Sequence, residues 1–150
     1  MFKKTTDIKE CTILTEIYNS AILVFDEKDR ADATEDIFYK QMREDENYLY
    51  YGEDGIAKAF FSYRKVAEAV YEMTSLYVKK EYQRAGIGQK CFTFLEEQIP
   101  KGSILYVKAL KNAPWSIAFY RKMGFEDCSM EDEVRITVGK WACLLKKSIK

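Results

Sequence analysis

Residues 76 to 95 read LYVKKEYQRAGIGQKCFTFL and combine a strand, a glycine turn and the start of a helix. Leu76, Tyr77 and Val78 are residues that favour β-strands. A charged turn leads to Gly86 and Gly88, and from position 87 onward apolar residues recur at positions 87, 91, 92, 95 and 99 with helical spacing. The stretch therefore predicts a strand, a loop and a helix in that order.

This loop has the chemistry of an anion site. Glycines let the main chain approach a ligand closely, and the first turn of a helix has N–H groups without intrahelical partners. These donors and the helix dipole favour a phosphate or pyrophosphate. A dinucleotide fingerprint would need a third glycine where Cys91 stands, and the Gly-Lys-Ser/Thr of a P-loop occurs nowhere, so both are disfavoured.

Two segments resemble the GNAT N-acetyltransferase superfamily. Gln83 to Gly88 is similar to its Gln/Arg-x-x-Gly-x-Gly/Ala acetyl-CoA loop, and Asn112 to Phe125 resembles its Asn…Ala-x-x-Phe-Tyr-x-x-x-Gly-Phe segment. The resemblance extends roughly from Glu72 to Phe125. It implies an α/β (α+β) fold of the GNAT-like acyl-CoA N-acyltransferase type, with a mixed central β-sheet flanked by helices.

The resemblance also implies acetyl-CoA as the cofactor. The main chain of Leu76 to Val78 is expected to hold the pantetheine arm like an added strand. Arg84 and the loop amides are expected to face the pyrophosphate, unless the loop is simply a tight turn. Asn112 resembles a cofactor-contacting asparagine, although it could instead cap a helix. The implied cofactor-binding residues are Leu76, Tyr77, Val78, Gln83, Arg84, Ala85, Gly86, Ile87, Gly88, Gln89 and Asn112.

Acyl transfer from a thioester to an amine needs a neutral amine and a proton for the departing thiolate. Glu72 lies where many relatives have the acidic residue that removes the amine proton, and its alternative role is a solvated strand-end glutamate. Tyr120 matches the family's general acid, with a core aromatic as the alternative. No activated nucleophile is visible, so we expect direct transfer without a covalent acyl-enzyme.

Composition limits the other functions. The 150 residues are 47% hydrophobic and 32% charged, which predicts one domain over residues 1–150. Twenty-four basic and 24 acidic residues balance, so general nucleic-acid binding is disfavoured. The apolar runs are too short for a membrane span and no signal core follows Met1, so we expect a cytoplasmic protein without membrane contact.

The absence of histidine excludes Ser-His-Asp and Cys-His arrangements within this sequence and most zinc-hydrolase sites. The four cysteines are scattered without a Cys-x-x-Cys, so we expect them to be reduced and mostly core-filling. No metal site is expected.

The remaining elements follow from periodicity and turn signals. A first helix is predicted from Ile8 to Phe25, capped by Thr6 or Asp7, and a second after Thr34. An Asp54-Gly55 turn predicts a hairpin, and a third strand is expected at about Glu68 to Val78. The later elements are a strand at 104–107, a helix from Pro114 to Met123 that Gly124 ends, and strands at 125–130 and 141–146, with 131–140 left open.

The sequence thus predicts an N-acetyltransferase that moves the acetyl group of acetyl-CoA to a primary amine of an unidentified small molecule or protein. A non-catalytic acyl-CoA-binding or sensing domain is the main alternative. A nucleotide or nucleic-acid module is a second, which the neutral charge argues against. The acceptor and the oligomeric state, for which a homodimer is one option, stay open.

Overall fold

The computed structural model describes residues 1–129, 131–132 and 136–150. Its strands are β1 (Phe2–Lys4), β2 (Glu46–Tyr51), β3 (Ala57–Ala67), β4 (Val70–Val78), β5 (Ile104–Leu110), β6 (Glu126–Asp127) and β7 (Ala142–Ser148). Its helices are α1 (Cys11–Ala21), α2 (Glu35–Glu44), α3 (Ile87–Gln98) and α4 (Pro114–Lys122). Short 3₁₀ turns lie at Ile8–Glu10, Ile22–Val24, Glu27–Asp29 and Lys80–Tyr82. No helix in the described parts of the chain is long and apolar enough to cross a membrane.

The strands hydrogen-bond in the order β1-β2-β3-β4-β5-β7-β6. β4 and β5 are parallel, with Val70 opposite Ile104 and Met73 opposite Val107. The pairs β1–β2, β2–β3, β5–β7 and β6–β7 are antiparallel. A parallel pair requires a crossover, which α3 supplies. The predicted mixed sheet with flanking helices is confirmed.

The chain divides into two compact units, and each of the strands β3 and β4 lies partly in one unit and partly in the other. The first unit contains Met1–Arg64 and Thr74–Glu97, and the second contains Lys65–Met73 and Gln98–Lys150. One domain over residues 1–150 stays a prediction.

In the first unit, both faces of β2 and β3 are covered. Leu49 lies opposite Phe60 and Tyr48 opposite Phe61, so neighbouring pairs point to opposite faces. Leu49 and Phe60 are fully buried against side chains of α1 and α2, namely Cys11, Leu14, Ile17 and Phe38. On the other face, the rings of Phe61 and Phe94 of α3 are 6.1 Å apart. One face therefore packs against α1 and α2, and the other packs against α3.

A buried polar network also ties α2 to the strands of this unit. Gln41 donates from Nε2 to Oδ1 of Asn47 at 3.0 Å and to Oγ of Ser62 at 2.8 Å. Ser75 of β4 donates from Oγ to Oε1 of Gln41 at 3.1 Å. Because buried polar groups need partners, this network fixes where α2 ends against the sheet.

In the second unit, β5 pairs with β4 on one side and with β7 on the other. Tyr106 of β5 is fully buried and donates from its hydroxyl to Oδ1 of Asp132 at 2.6 Å. Oδ2 of Asp132 accepts from Nζ of Lys146 at 2.9 Å and from the amide of Ser129 at 2.9 Å. Hydrogen bonds from Tyr106, Lys146 and Ser129 hold the pKa of Asp132 well below its usual range. Asp132 thereby fastens the segment after β6 to two strands.

Most predicted elements are present, with changed limits. The first predicted helix has 3₁₀ turns at both ends of α1, and Oδ1 of Asp7 accepts from the amide of Lys9 at 2.9 Å, as a cap does. The predicted hairpin is confirmed, because Gly52 donates from its amide to the carbonyl of Ile56 at 3.0 Å. A second turn, with Ala69 at a φ of 57°, gave no sequence signal.

The strand predicted at 125–130 is shorter than expected. β6 ends at Asp127. Position 130, the last residue of the predicted strand, lies outside the described residues. In the open segment 131–140, residues 131–132 are helical and residues 133–135 lie outside the described residues.

Candidate functional site

The glycine loop, residues Gln83–Gly88, leaves a row of amides uncommitted. Arg84 has a φ of 63° and Gly86 a φ of 81°, so the chain turns through left-handed conformations before α3 begins at Ile87. Arg84 lies in a hydrogen-bonded turn, but within the described residues the amides of positions 84 to 89 make no short, well-aligned hydrogen bond to a main-chain acceptor. Successive amides of this kind at a helix N-terminus form an anion-binding concavity.

Gly86 leaves the main chain of this loop open on one side. A Cβ built on it would meet no heavy atom within 4 Å, so the space above its main chain is open. Its φ of 81° is one that L-residues rarely adopt. Arg84 and Gln89 are exposed, whereas Ile87 is buried and anchors the first turn of α3. The donor set therefore fits a phosphate group.

Gln83 bonds within the protein through both its main chain and its side chain. Its amide, which was expected to face the pyrophosphate, donates to the carbonyl of Lys80 at 3.3 Å. Its Nε2 donates to the carbonyl oxygen of Val78 at 2.9 Å, which closes the segment between β4 and the glycine loop. The side chain amide is thus engaged in a bond within the protein. Through this bond Gln83 holds the start of the glycine loop against the end of β4.

Leu76, Tyr77 and Val78 form the end of β4 and are all half-buried. The Tyr77 ring lies 4.8 Å from that of Tyr18 and 5.5 Å from that of Phe60, so its side chain belongs to the core between the sheet and α1. The packing of Tyr77 in the core agrees with the expectation that this strand end would bind a cofactor through its main chain rather than its side chains.

Glu72 lies inside β4 and only 3% of its surface is exposed. The alternative of a solvated strand-end glutamate is therefore wrong. Its Oε2 lies 3.6 Å from Nζ of Lys108, which stands two residues beyond Tyr106, the residue opposite Glu72 on the parallel strand β5. A buried carboxylate needs such a partner because desolvating an unpaired charge is costly.

Tyr120 lies on α4 and is 7% exposed. Its ring is 5.5 Å from that of Phe125, so the core-aromatic environment is real. Burial raises the pKa of its hydroxyl to about 12, and a hydrogen bond with Ser116 acts in the opposite direction. Tyr120 therefore stays protonated at neutral pH.

Asn112 is exposed and does not cap α4. The N-cap is Ala113, which makes no side-chain cap bond, and Pro114 occupies the first turn as predicted. The capping alternative for Asn112 is therefore wrong.

The predicted residues fall into both units. Leu76 to Gln89 belong to the first, and Glu72, Asn112 and Tyr120 to the second. In the described residues no group of histidine, cysteine or carboxylate side chains is arranged to hold a metal ion.

The sequence profile of the acetyltransferase (GNAT) family matches residues 13–125. The chain belongs to this family. The match includes the glycine loop, both predicted catalytic residues and Asn112. No curated protein matches the chain.

Solved GNAT structures share the fold at low sequence identity. The PaiA N-acetyltransferase from Thermoplasma acidophilum, in complex with coenzyme A, has a TM-score of 0.76 at 15% identity, covering 99% of this chain and 99% of that one. The ribosomal-protein-S18-alanine N-acetyltransferase from Escherichia coli has 0.73 at 16%, covering 100% and 95%. A phosphinothricin acetyltransferase from Sinorhizobium meliloti in complex with acetyl-CoA has 0.72 at 17%, covering 99% and 88%.

Several polar residues of this GNAT chain escaped the sequence analysis. Lys108 had a weak signal, since a lysine inside an apolar strand requires a partner. Asp132 lies in a segment without periodicity and gave none. Ser20, a hydroxyl near the end of α1, also gave none, because its partner Lys80 lies 60 residues away.

Proposed function

We propose that this GNAT protein is an N-acetyltransferase that moves the acetyl group of acetyl-CoA directly to a primary amine of a small molecule or protein. The observation that carries the proposal is the row of uncommitted amides at positions 84 to 89, directly after the strand end Leu76–Val78. Charge-assisted bonds from main-chain amides are well suited to a diphosphate.

The cofactor would be held mainly by main-chain groups. The amides of Arg84, Ala85, Gly86, Ile87 and Gly88, with Gln89 next in the helix, would bind the diphosphate, and the Arg84 guanidinium would add a charged donor. The main chain of Leu76 to Val78 would bind the amide groups of the pantetheine arm. Asn112 has an exposed side chain that could donate to a cofactor carbonyl.

Bound acetyl-CoA supplies a thioester whose carbonyl carbon is open to attack by an amine. Glu72 would take a proton from the acceptor's ammonium group at a carboxylate oxygen, directly or through water, and so release the neutral amine that attacks the thioester carbon. Lys108, with Nζ 3.6 Å from Oε2 of Glu72, balances the charge of that buried carboxylate. Removing a proton matters because an alkyl amine with a pKa of about 10.4 is mostly protonated at neutral pH.

Tyr120 would act at the departing sulfur. With a pKa of about 12, against about 8.5 for an ordinary thiol, complete proton transfer to the thiolate would be uphill by about 5 kcal/mol. We therefore assign Tyr120 first as a neutral hydrogen-bond donor to the sulfur. The hydrogen bond with Ser116, which favours the phenolate, keeps this pKa from rising further.

Two buried cysteines are poor candidates for a covalent intermediate. Burial raises the pKa of the Cys91 thiol to about 12 and also raises the pKa of the Cys11 thiol. At neutral pH these thiols stay protonated and weakly nucleophilic. This supports direct transfer.

The test is a panel of amine acceptors with acetyl-CoA, following free coenzyme A thiol and the mass of the acceptor. We expect thiol release that depends on an amine and a mass gain of one acetyl group, with initial-rate patterns of a sequential mechanism. Tight binding of acetyl-CoA without turnover across the panel would favour the non-catalytic binding domain. An acetylated protein that passes its acetyl group to the amine would refute direct transfer.

A further inference from the structure

The approach to the glycine loop begins with the 3₁₀ turn Lys80–Tyr82, which lies next to the turn Ile22–Val24 at the end of α1. Helical turns start with amides that have no partner inside the turn. Lys79, the N-cap of this turn, provides no side-chain cap bond. The cap comes from another helix: Oγ of Ser20 accepts from the amide of Lys80 at 2.9 Å.

Ser20 makes a second contact with the same turn. Its Oγ donates to Oε2 of Glu81 at 3.5 Å, so one hydroxyl engages two successive residues. Ser20 is half-buried near the C-terminal end of α1, a helix whose Leu14 and Ile17 are fully buried in the core. The turn is thereby fastened to a rigid element.

The segment is also fastened on its other sides. The amide of Lys79 donates to the carbonyl of Lys58 on β3 at 2.9 Å, and Gln83 bonds the carbonyl of Val78. Nζ of Lys58 lies 4.6 Å from the centre of the Tyr82 ring, a cation–π contact. Hydrogen bonds within the protein thus fix residues 79 to 83, while the amides that follow stay available.

We propose that Ser20 is a positioning residue for the glycine loop. This inference rests on the proposed function, because it assumes that the loop amides bind the diphosphate of acetyl-CoA. Ser20 itself touches no reacting atom. By capping the turn before the loop it sets the direction in which the amides of positions 84 to 89 point.

Loss of the Ser20 hydroxyl should weaken the binding only of thioesters that carry the diphosphate. Ser20→Ala should raise the KM for acetyl-CoA about 2- to 12-fold, the range that one net hydrogen bond supports. It should leave kcat unchanged. The KM for S-acetylpantetheine, a thioester without the diphosphate, should also stay unchanged. Ser20→Thr keeps the hydroxyl and should restore the wild-type KM for acetyl-CoA.

Thr12→Ala is the matched control. Thr12 is also on α1, and its Oγ1 donates to Oε1 of Glu35 at 2.8 Å, a bond that ties α1 to α2 rather than to the loop. This variant should lose a comparable bond without any change in the KM for acetyl-CoA. Melting temperatures of both variants show whether their stabilities are equally affected.

Two results would overturn the proposal. One is a Ser20→Ala protein with the wild-type KM for acetyl-CoA, and the other is an equal rise in KM for both thioesters, which would indicate general damage. Failure of the proposed function appears differently, as a wild-type protein that neither binds nor turns over acetyl-CoA.

Discussion

Replacing Gly86 by alanine separates backbone strain from ligand contact. Gly86 has a φ of 81° and open space where a Cβ would lie. An L-residue in this conformation costs about 1 to 2 kcal/mol, whatever the surrounding space. For a chain of this size we expect the melting temperature of Gly86→Ala to fall by about 2 to 8 °C.

Two other glycines provide controls with the same strain. Gly55 and Gly102 have φ values of 75° and 89°, and neither has a heavy atom within 4 Å of a built Cβ. Gly55 lies in the β2–β3 turn, and Gly102 follows α3 and donates from its amide to the carbonyl of Ile149 at 2.7 Å. Alanine at either position should therefore cost about the same stability as alanine at Gly86.

Only Gly86→Ala should weaken the binding of acetyl-CoA. The added methyl group occupies the space through which a phosphate would approach, and displaces it from nearby amides. A lost hydrogen bond to a charged group is worth about 1.5 to 3 kcal/mol, so the Kd should rise about 10- to 150-fold. Titration calorimetry with acetyl-CoA measures this rise. If Gly86→Ala binds acetyl-CoA as tightly as Gly55→Ala and Gly102→Ala do, the glycine loop does not hold the diphosphate.

Three further predictions concern the second unit. Tyr120→Phe should lower kcat about 10²-fold with little change in the KM for acetyl-CoA. The pKa of Tyr120 is about 12 in the folded protein and about 10 in the unfolded chain, so its stabilising effect is complete below pH 10 and is lost between about pH 10 and 12. Over that range, the free energy of unfolding measured in urea should fall by about 2.7 kcal/mol more for the wild type than for Tyr120→Phe. Glu72→Gln should lower kcat about 10²-fold and also reduce stability, because it leaves Lys108 without its charge partner. The double variant Glu72→Gln/Lys108→Gln should regain that stability but not the turnover. Recovered turnover would show that Glu72 is only a structural partner of Lys108. Asp132→Asn should cost about 2 to 4 kcal/mol at neutral pH. Because hydrogen bonds lower the pKa of Asp132, this difference should shrink as the pH falls below about 4, and a constant difference in urea unfolding would show that the charged carboxylate is not what stabilises the segment.

The local signals in the sequence predicted most of the fold. Asp54-Gly55 specifies a hairpin turn, Pro114 the start of a helix, and Gly124 its end, because each property belongs to one residue and its neighbours. The spacing of apolar residues predicted the order of helices and strands for the same reason.

The pairs that surround the candidate residues could not be predicted in this way. Lys108 reaches Glu72 only because the two parallel strands align Glu72 with Tyr106, a register that no local pattern encodes. Asp132 meets Tyr106 through tertiary packing, and its own segment has no periodicity.

The bond from Gln83 to the carbonyl of Val78 gives a reason for the first position of the motif that this chain shares with its family. That position accepts glutamine or arginine, two residues that differ in charge but both carry a long side chain ending in N–H groups. A donor of sufficient reach is the property they have in common. Gln83→Arg should therefore be tolerated, while leucine or glutamate, which cannot donate to a carbonyl, should loosen the connection between strand and loop. The first position of the motif then serves the local fold rather than the ligand directly. When the motif is placed in another scaffold, this position therefore needs a long side chain that can donate a hydrogen bond to the end of the preceding strand.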